Sequence, residues 1–595
     1  MVKSRSVLVA LAALGAVAAK PQHADFDWNS LTPSASLNYS SCYGDFKCAR
    51  LLVPLDWLDE SNPERVTLAI TALPAVVPED DPTFGGTIFT NPGGPSGSGV
   101  DFLLSRGHGL RKMADSEDKK FEFLSFDPRG VGETLPRADC WQDEFARQGF
   151  NSEEAAMGAP DEGPHVVGRN FARARGFGTV CERSTNGSKD DIRNFISTSS
   201  VARDMVAMVD KIDELRNPKR TVDGEIDDAQ LELRSDKDLP RLNYIGFSYG
   251  TVLGNYFASM FPGRVGHVAL EAVVDVHDYF NGTWTRNLQD MPHTYEHFWE
   301  TCFVAGAKCA LHKAEDTGPD DISARFEAWL KELDASPATY MTETSIHPIT
   351  PYSVALAMFR PMYAPMRLFP ATAHILAEAM AGNYTGVHEA VPIPALRDAC
   401  PLRDPQSYSW SRDAMAAIAC GDALPQTHVT IPQFQDYIGE LKSQDPRIGP
   451  YWSSIRIACT GWRYRPSYSF SGPWTTPAHD PSGVPGKPLA PLLFVSSQYD
   501  PVTPLRNARE MMKYHPGSGL LIQDNVGHGS IGTPGKCRDE AIKRFFARGE
   551  VPDGELFCEA DCIPFQDCPD ADALTLQSVD EGVMSRQRSP LEMPW

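Results

Sequence analysis

Short apolar runs bounded by glycine and proline occupy both ends of the chain, while longer stretches with apolar residues at helical spacing fill the middle. Between Cys48 and Asn91 the runs "ARLLVPLDW", "RVTLAITALPA" and "GGTIFTN" predict three strands, and "FEFLSFDPRGVGET" (Phe121 to Thr134) predicts a fourth that ends at Asp127. "SVARDMVAMVDKIDELR" predicts an amphipathic helix with Val201, Met205, Met208, Val209, Ile212 and Leu215 on one face. A charged insertion, "NPKRTVDGEIDDAQLELRSDKD", follows with little to bury and reads as a surface loop. The strand "LNYIGF" then passes directly into a helix, and "GHVALEAVVD" is the next strand. From about His277 to Pro485 strand signals stop and helical patterns rich in Ala, Met and aromatics take over. Strands return at "APLLFVSSQYDPVTP" and "GSGLLIQDNVGHGS", separated by a helix around Leu505 to Tyr514.

Alternation of strand and helix predicts a mostly parallel central sheet with helices on both faces, and the late helical block predicts a cap inserted into it. The expected organisation is a core from 42 to 275, a helical cap from 276 to 485, and the rest of the core from 486 to 560. An acidic tail, 569–595, closes the chain. Residues 1–19 read as a cleaved signal peptide: Lys3 and Arg5 precede an apolar run from Val7 to Ala19 that ends in small residues. That run is too short for a permanent membrane span, and no later run is long and apolar enough for one.

Composition sharpens this. Of 595 residues 42% are hydrophobic and 22% charged, ordinary for a soluble globular protein. The net charge is −23 and no basic cluster is interleaved with aromatics, so nucleic acid is not an expected partner. Thirteen cysteines fit an oxidising compartment. Cys42/Cys48, Cys302/Cys309 and Cys562/Cys568 are close pairs, and Cys140/Cys181 and Cys537/Cys558 are longer ones. Cys400, Cys420 and Cys459 leave one over, and spacing alone does not fix the pairing. No close cysteine pair has histidines at ligand spacing, so no metal is expected. Asn38, Asn186, Asn281 and Asn383 are N-glycosylation acceptors if the chain is secreted.

The chemistry centres on Ser248 in "GFSYG". A strand that turns at once into a helix needs small residues on both sides, and the residue between them is held with its side chain clear of the backbone. Gly-x-Ser-x-Gly alone arises by chance in a long chain; its strand and helix give it meaning. A serine needs a base, and the base an orienting acid, at the carboxyl ends of neighbouring strands and in the chain order Ser, acid, His. Asp500 follows the strand "LLFVSSQY" and His528 follows "LLIQDNV", which makes Ser248, Asp500 and His528 the expected catalytic set. Asp275 and Asp524 are rival acids. The oxyanion donors expected are the amides of Tyr249, after the serine, and of Gly94 in "TNPGGPSGSG". No Gly-Lys-Ser/Thr follows those glycines, so they are not read as a phosphate cradle, and no cofactor is expected.

These residues carry a resemblance. Through "CARLLVPLDW", "NPGGPSGSGVDFL", "FLSFDPRGVGET", "TSSVARDMVAMVD", "YIGFSYGTVLGNYFASMFP", "VALEAVVD", "SSQYDPVTP" and "VGHGS" the chain resembles α/β-hydrolases of the prolyl aminopeptidase type, and more closely their secreted tripeptidyl-aminopeptidase-like branch. The resemblance implies the α/β-hydrolase fold and a cofactor-free serine exopeptidase that releases short peptides or single residues from free N-termini. It also implies cap acids that hold the substrate's ammonium group, with Glu296, Glu300, Asp398 and Glu440 as unranked candidates. An esterase, lactonase or amidase acting on a small secreted metabolite is the alternative, because one triad serves any acyl transfer. The chain departs from the family's usual glycine at Ser96 and from its usual Asp-Gly pair at Glu271-Ala272.

Overall fold

The computed structural model describes residues 26–568 except 142–143, 186, 219–238, 343–345 and 392–411. The predicted leader 1–19, most of the charged insertion, Asn186, Asp398, Cys400 and the tail 569–595 therefore lie outside the described residues.

Ten strands form one sheet: β1 (Ser40–Cys42), β2 (Phe46–Pro54), β3 (Arg65–Leu73), β4 (Phe84–Asn91), β5 (Lys120–Phe126), β6 (Leu242–Phe247), β7 (Val265–Glu271), β10 (Leu493–Tyr499), β11 (Gly519–Val526) and β12 (Glu555–Glu559). Their order is β1-β2-β3-β5-β4-β6-β7-β10-β11-β12. The first three pairings are antiparallel and all others parallel. Parallel strands need both faces covered. On one face, helices Gly99–Ala114 and Lys536–Arg548 bury Leu103, Leu110, Phe545 and Phe546 with Ile245 and Phe247. On the other, Thr198–Arg216, Tyr249–Met260 and Leu505–Met512 bury Met205, Met208, Phe257 and Met511 with Leu242 and Tyr244. Alternate residues of β6 thus point to opposite cores, the period-two pattern of a strand. Leu215, expected on the apolar face of its helix, is 50% exposed in the last turn, where neighbouring Arg216 reaches Glu79 and Glu122.

β4 connects to β5 on one side of itself and lies beside β6 on the other, so the direction of winding reverses between β4 and β6. Loops diverge at such a point and leave a crevice at the strands' carboxyl ends. The turn with Gly94 and the turn with Ser248 both open there. The "DPRG" stretch braces the crevice. Asp127 accepts from Ser98 Oγ, Val100 N and Glu133 N, holding the turns after β4 and β5 together. Arg129 and Asp204 form an ion pair with no exposed side-chain surface, 2.7 Å apart, and Trp57 donates to the same carboxylate.

Helices dominate residues 276–485, with one addition to the expected pattern: a small hairpin of β8 (Ala338–Met341) and β9 (Ile346–Ile349). The helical layer also draws on an earlier part of the chain. Helix Pro164–Ser184 packs Phe171 edge-on to Phe434 and Phe177 against Trp462, ring centroids 5.3 and 6.0 Å apart. It approaches so closely that a Cβ on Gly178 would lie 2.0 Å from the Gly461 carbonyl oxygen. Among the described residues there are six disulfides: Cys42–Cys48, Cys140–Cys181, Cys302–Cys309, Cys420–Cys459, Cys537–Cys558 and Cys562–Cys568. The partner of Cys420, open from spacing, is Cys459.

Helix Arg412–Asp422 joins this layer to the core through two buried acids. Asp413 accepts from Cys140 N at 2.8 Å. Asp422 accepts from Thr198 N, Thr198 Oγ1 and Tyr279 OH at 2.8, 2.5 and 2.8 Å. Burial pushes both carboxyls up to about 6, against the opposing pull of these hydrogen bonds. A carboxyl whose pKa is higher folded than unfolded contributes stability that is complete below about pH 4 and is lost as pH rises through about 6. Each therefore contributes on the order of 1 kcal/mol more at pH 5 than at pH 8. In thermal or denaturant unfolding, Asp422→Asn should shift the stability difference between pH 5 and pH 8 by about 1 kcal/mol relative to wild type, with the loss greater at pH 5. Identical pH dependence in wild type and Asp422→Asn would contradict this.

Candidate active site

Ser248 is the only residue between β6 and helix Tyr249–Met260, and it stands at φ 56°, ψ −124° with 6% exposure. Few non-glycine residues occupy this region, and it persists only where surroundings enforce it. Here they do. The Ser248 amide donates to the carbonyl of Glu271 at the end of β7 (3.0 Å), and Thr251 returns its amide and hydroxyl to the Ser248 carbonyl at 2.8 and 2.6 Å. Space around the turn is exhausted: a Cβ on Gly246 would lie 2.4 Å from the Gly250 carbonyl. One on Gly93 would lie 2.5 Å from the Phe247 carbonyl and 2.8 Å from Ser248 Cβ.

The expected acid and histidine are in hydrogen-bond contact. Asp500, fully buried just past β10, has its carboxylate oxygens 3.0 and 3.1 Å from His528 Nδ1. The carboxylate is itself fixed by the amides of Val502, Thr503 and Gly529 at 3.0, 2.8 and 2.9 Å. An Nδ1–H donated to Asp500 leaves Nε2 as the ring's proton acceptor. The His528 ring packs edge-on to Tyr363, centroids 4.9 Å apart, and its amide donates to the Tyr363 carbonyl at 3.0 Å. Among the described residues no hydrogen bond joins Ser248 Oγ to His528, a contact that commonly tightens only when substrate is bound.

Neither rival acid is placed against His528. Asp275 caps helix Val276–Asn281, accepting from His277 N and Asp278 N, and pairs with Arg286 at 2.5 Å. Asp524 is exposed on β11. The candidate donors Gly94 and Tyr249 line one small cavity with Ser248. Tyr249 opens its helix, so its amide has no intrahelical acceptor. The ring of Tyr249 is anchored from behind, its hydroxyl 2.6 Å from Thr198 Oγ1, which in turn donates to Asp422. The departures from glycine have a visible cost: Ser96 and Ala272 stand at φ 86° and 57°, where L residues are strained.

The remaining walls of the cavity are aromatic or neutral: Tyr279, Trp284, Tyr363, Trp452, Asn287 and Thr503 among them, with no carboxylate among the described lining residues. Glu296, Glu300 and Glu440 are exposed and line neither this cavity nor its neighbour. That neighbour is a larger, partly open chamber that shares Ile455 with the first as a lining residue, with Gly94 lining one and Ser96 the other. It has an aromatic wall of Trp141, Phe150 and Phe177. Its glutamate, Glu154, is paired with Arg412 and lies 3.6 Å from Arg173. Sequence reasoning did not single out Glu154 or the helix that carries it, because a lone glutamate on an amphipathic helix has no local signature.

Comparison with known proteins agrees with this architecture. The family model described as alpha/beta hydrolase fold matches residues 88–313, and the one described as TAP-like protein matches residues 445–558. A tripeptidyl aminopeptidase of Streptomyces lividans is 23% identical over 542 residues, 89% of this chain and 88% of the relative. Serine protease Hip1 of Mycobacterium tuberculosis is 24% identical, covering 87% and 88% of the two chains. Carboxylesterase B of the same organism is 25% identical, covering 86% of each. With its reversing parallel sheet, the strained serine turn at the crevice and these two family matches, the chain has the α/β-hydrolase fold, is a hydrolytic enzyme and is similar to TAP-like proteins over residues 445–558.

Proposed function

We propose that this chain is a secreted serine hydrolase with the triad Ser248, His528 and Asp500, and that it acts as an exopeptidase releasing short peptides or single residues from free N-termini. The observation that carries the mechanism is the Asp500–His528 contact at 3.0 Å beside a cavity that contains Ser248. Ser248 Oγ attacks the scissile carbonyl carbon while His528 Nε2 takes its proton. The tetrahedral oxyanion is held by the amides of Tyr249 and Gly94. His528 then protonates the departing amine, and water repeats the sequence to release the acyl group. Asp500 stabilises the imidazolium and holds the ring in the productive tautomer.

The peptidase reading is supported by the TAP-like match and by two relatives named for peptidase activity. Secretion is supported by the residues of the leader, the six disulfides, and the exposure of Asn38, Asn281 and Asn383, which would carry glycans. One observation favours the esterase, lactonase or amidase reading: the cavity at Ser248 has no carboxylate among its described lining residues. A buried ammonium without a partner would cost several kcal/mol, and of the described acids lining the neighbouring chamber Glu154 is paired with Arg412 while Asp413 accepts from the Cys140 amide.

Ser248→Ala should abolish turnover in a folded protein, a loss on the order of 10⁶ in kcat, and Asp500→Asn should cost about 10⁴ through the wrong histidine tautomer. Activity above a few per cent in Ser248→Ala would remove Ser248 from the mechanism. Gly93→Ala should push a methyl group into the serine turn and lower kcat by about 10²-fold or more while the protein still folds; a wild-type kcat would show that the close approach is immaterial. Matched peptides with free and acetylated N-termini separate the two substrate readings. An exopeptidase should lose about 10²-fold or more in kcat/KM on acetylation, whereas equal rates, together with faster cleavage of simple acyl esters, would establish the esterase reading.

A further inference from the structure

The histidine loop is held by two carboxylates, and only one of them belongs to the triad. His528 Nδ1 and the Gly529 amide go to Asp500, at 3.0 and 2.9 Å. The next two residues turn to Glu271: the Ser530 amide, the Ser530 hydroxyl and the Ile531 amide all donate to Glu271 Oε1, at 2.6, 2.7 and 3.0 Å. Glu271 is the last residue of β7 and is fully buried. Its backbone carbonyl is the acceptor for the Ser248 amide at 3.0 Å. One residue therefore grips the nucleophile turn with its main chain and the histidine loop with its side chain.

We propose, on the triad reading above, that Glu271 is a positioning residue that fixes the distance between Ser248 Oγ and His528 Nε2. The fit is close on every side. A Cβ on Gly529 would lie 3.2 Å from Glu271 Oε1, so the loop passes directly over the carboxylate. Arg538, also fully buried, clamps the far side of the same loop, donating to the Ser530 carbonyl and to the Thr533 carbonyl at 2.8 Å. Asp500 sets which way the imidazole faces, but it sits at the end of β10, on a different strand from the serine's support. Glu271 is the element common to both halves of the proton-transfer pair. Proton transfer depends steeply on that separation, and misplacement by about 1 Å costs about 10²-fold.

The measurement is the second-order rate of Ser248 labelling by a fluorophosphonate, which requires the serine–histidine pair but no particular substrate, taken together with kcat and KM. Glu271→Gln keeps an oxygen for the three donors and should lower labelling and kcat by about 10-fold; Glu271→Ala should lower both by about 10²-fold or more, with KM within about threefold of wild type. Ser530→Ala, which leaves the carboxylate and both loop amides in place, should give a smaller loss in the same direction, about threefold, and serves if Glu271→Ala does not fold. Wild-type labelling rates in folded Glu271→Gln and in Ser530→Ala, or losses confined to KM, would overturn the proposal. Labelling that persists in Ser248→Ala would instead overturn the triad reading on which it rests.

Discussion

Ser248 has to be held at a positive φ, and the carboxyl edge of the sheet is organised around that requirement. An L residue in this region costs about 1–3 kcal/mol and returns to a relaxed conformation unless its neighbours prevent it. Three elements do so here. The end of β7 accepts the serine amide, Thr251 captures the serine carbonyl from the next turn of helix, and the β4 turn lies so close at Gly93 that no side chain fits between them. The same closeness brings Gly94 into the cavity with Ser248. The strained serine and the turn carrying Gly94 are one packing arrangement, sited where the winding of the sheet reverses.

The helical layer is tied to this arrangement by charge rather than by apolar packing alone. Asp422 reaches Thr198 at the start of a core helix and Tyr279 in the cavity wall, and Thr198 passes the contact to Tyr249. A buried carboxylate is worth keeping only where several donors converge on it. Tyr249, the residue after Ser248, is thereby steadied by a side chain more than 170 positions away in sequence, in the helical layer.

Much of this was legible in the residues. Short apolar runs ending at Asp127, Ser248, Asp500 and His528 predicted strands, and in a parallel sheet strand polarity puts the residues that follow such strands on one edge. What escaped was of another kind. The β8–β9 hairpin is short and half exposed, with Met341 and Ile346 on the surface, so it offered no buried alternation to read. Helix Pro164–Ser184 joins the helical layer through Phe171 and Phe177, a choice of partner that amphipathicity does not encode. Glu271 looked like a structural departure from a family Asp-Gly pair; its reach to Ser530 and Ile531 exists only once two strands distant in sequence are brought close. The acids proposed for an ammonium group proved exposed or outside the described residues, because exposure on a helix depends on packing partners far along the chain.

The central claim is that the strained serine is the nucleophile and that the histidine held by Asp500 activates it. Peptide mapping by mass spectrometry of protein inactivated with a fluorophosphonate tests it most directly. The account predicts a single phosphonyl adduct on Ser248, forming in step with loss of activity. An adduct on another residue, or full inactivation with Ser248 unmodified, would contradict it.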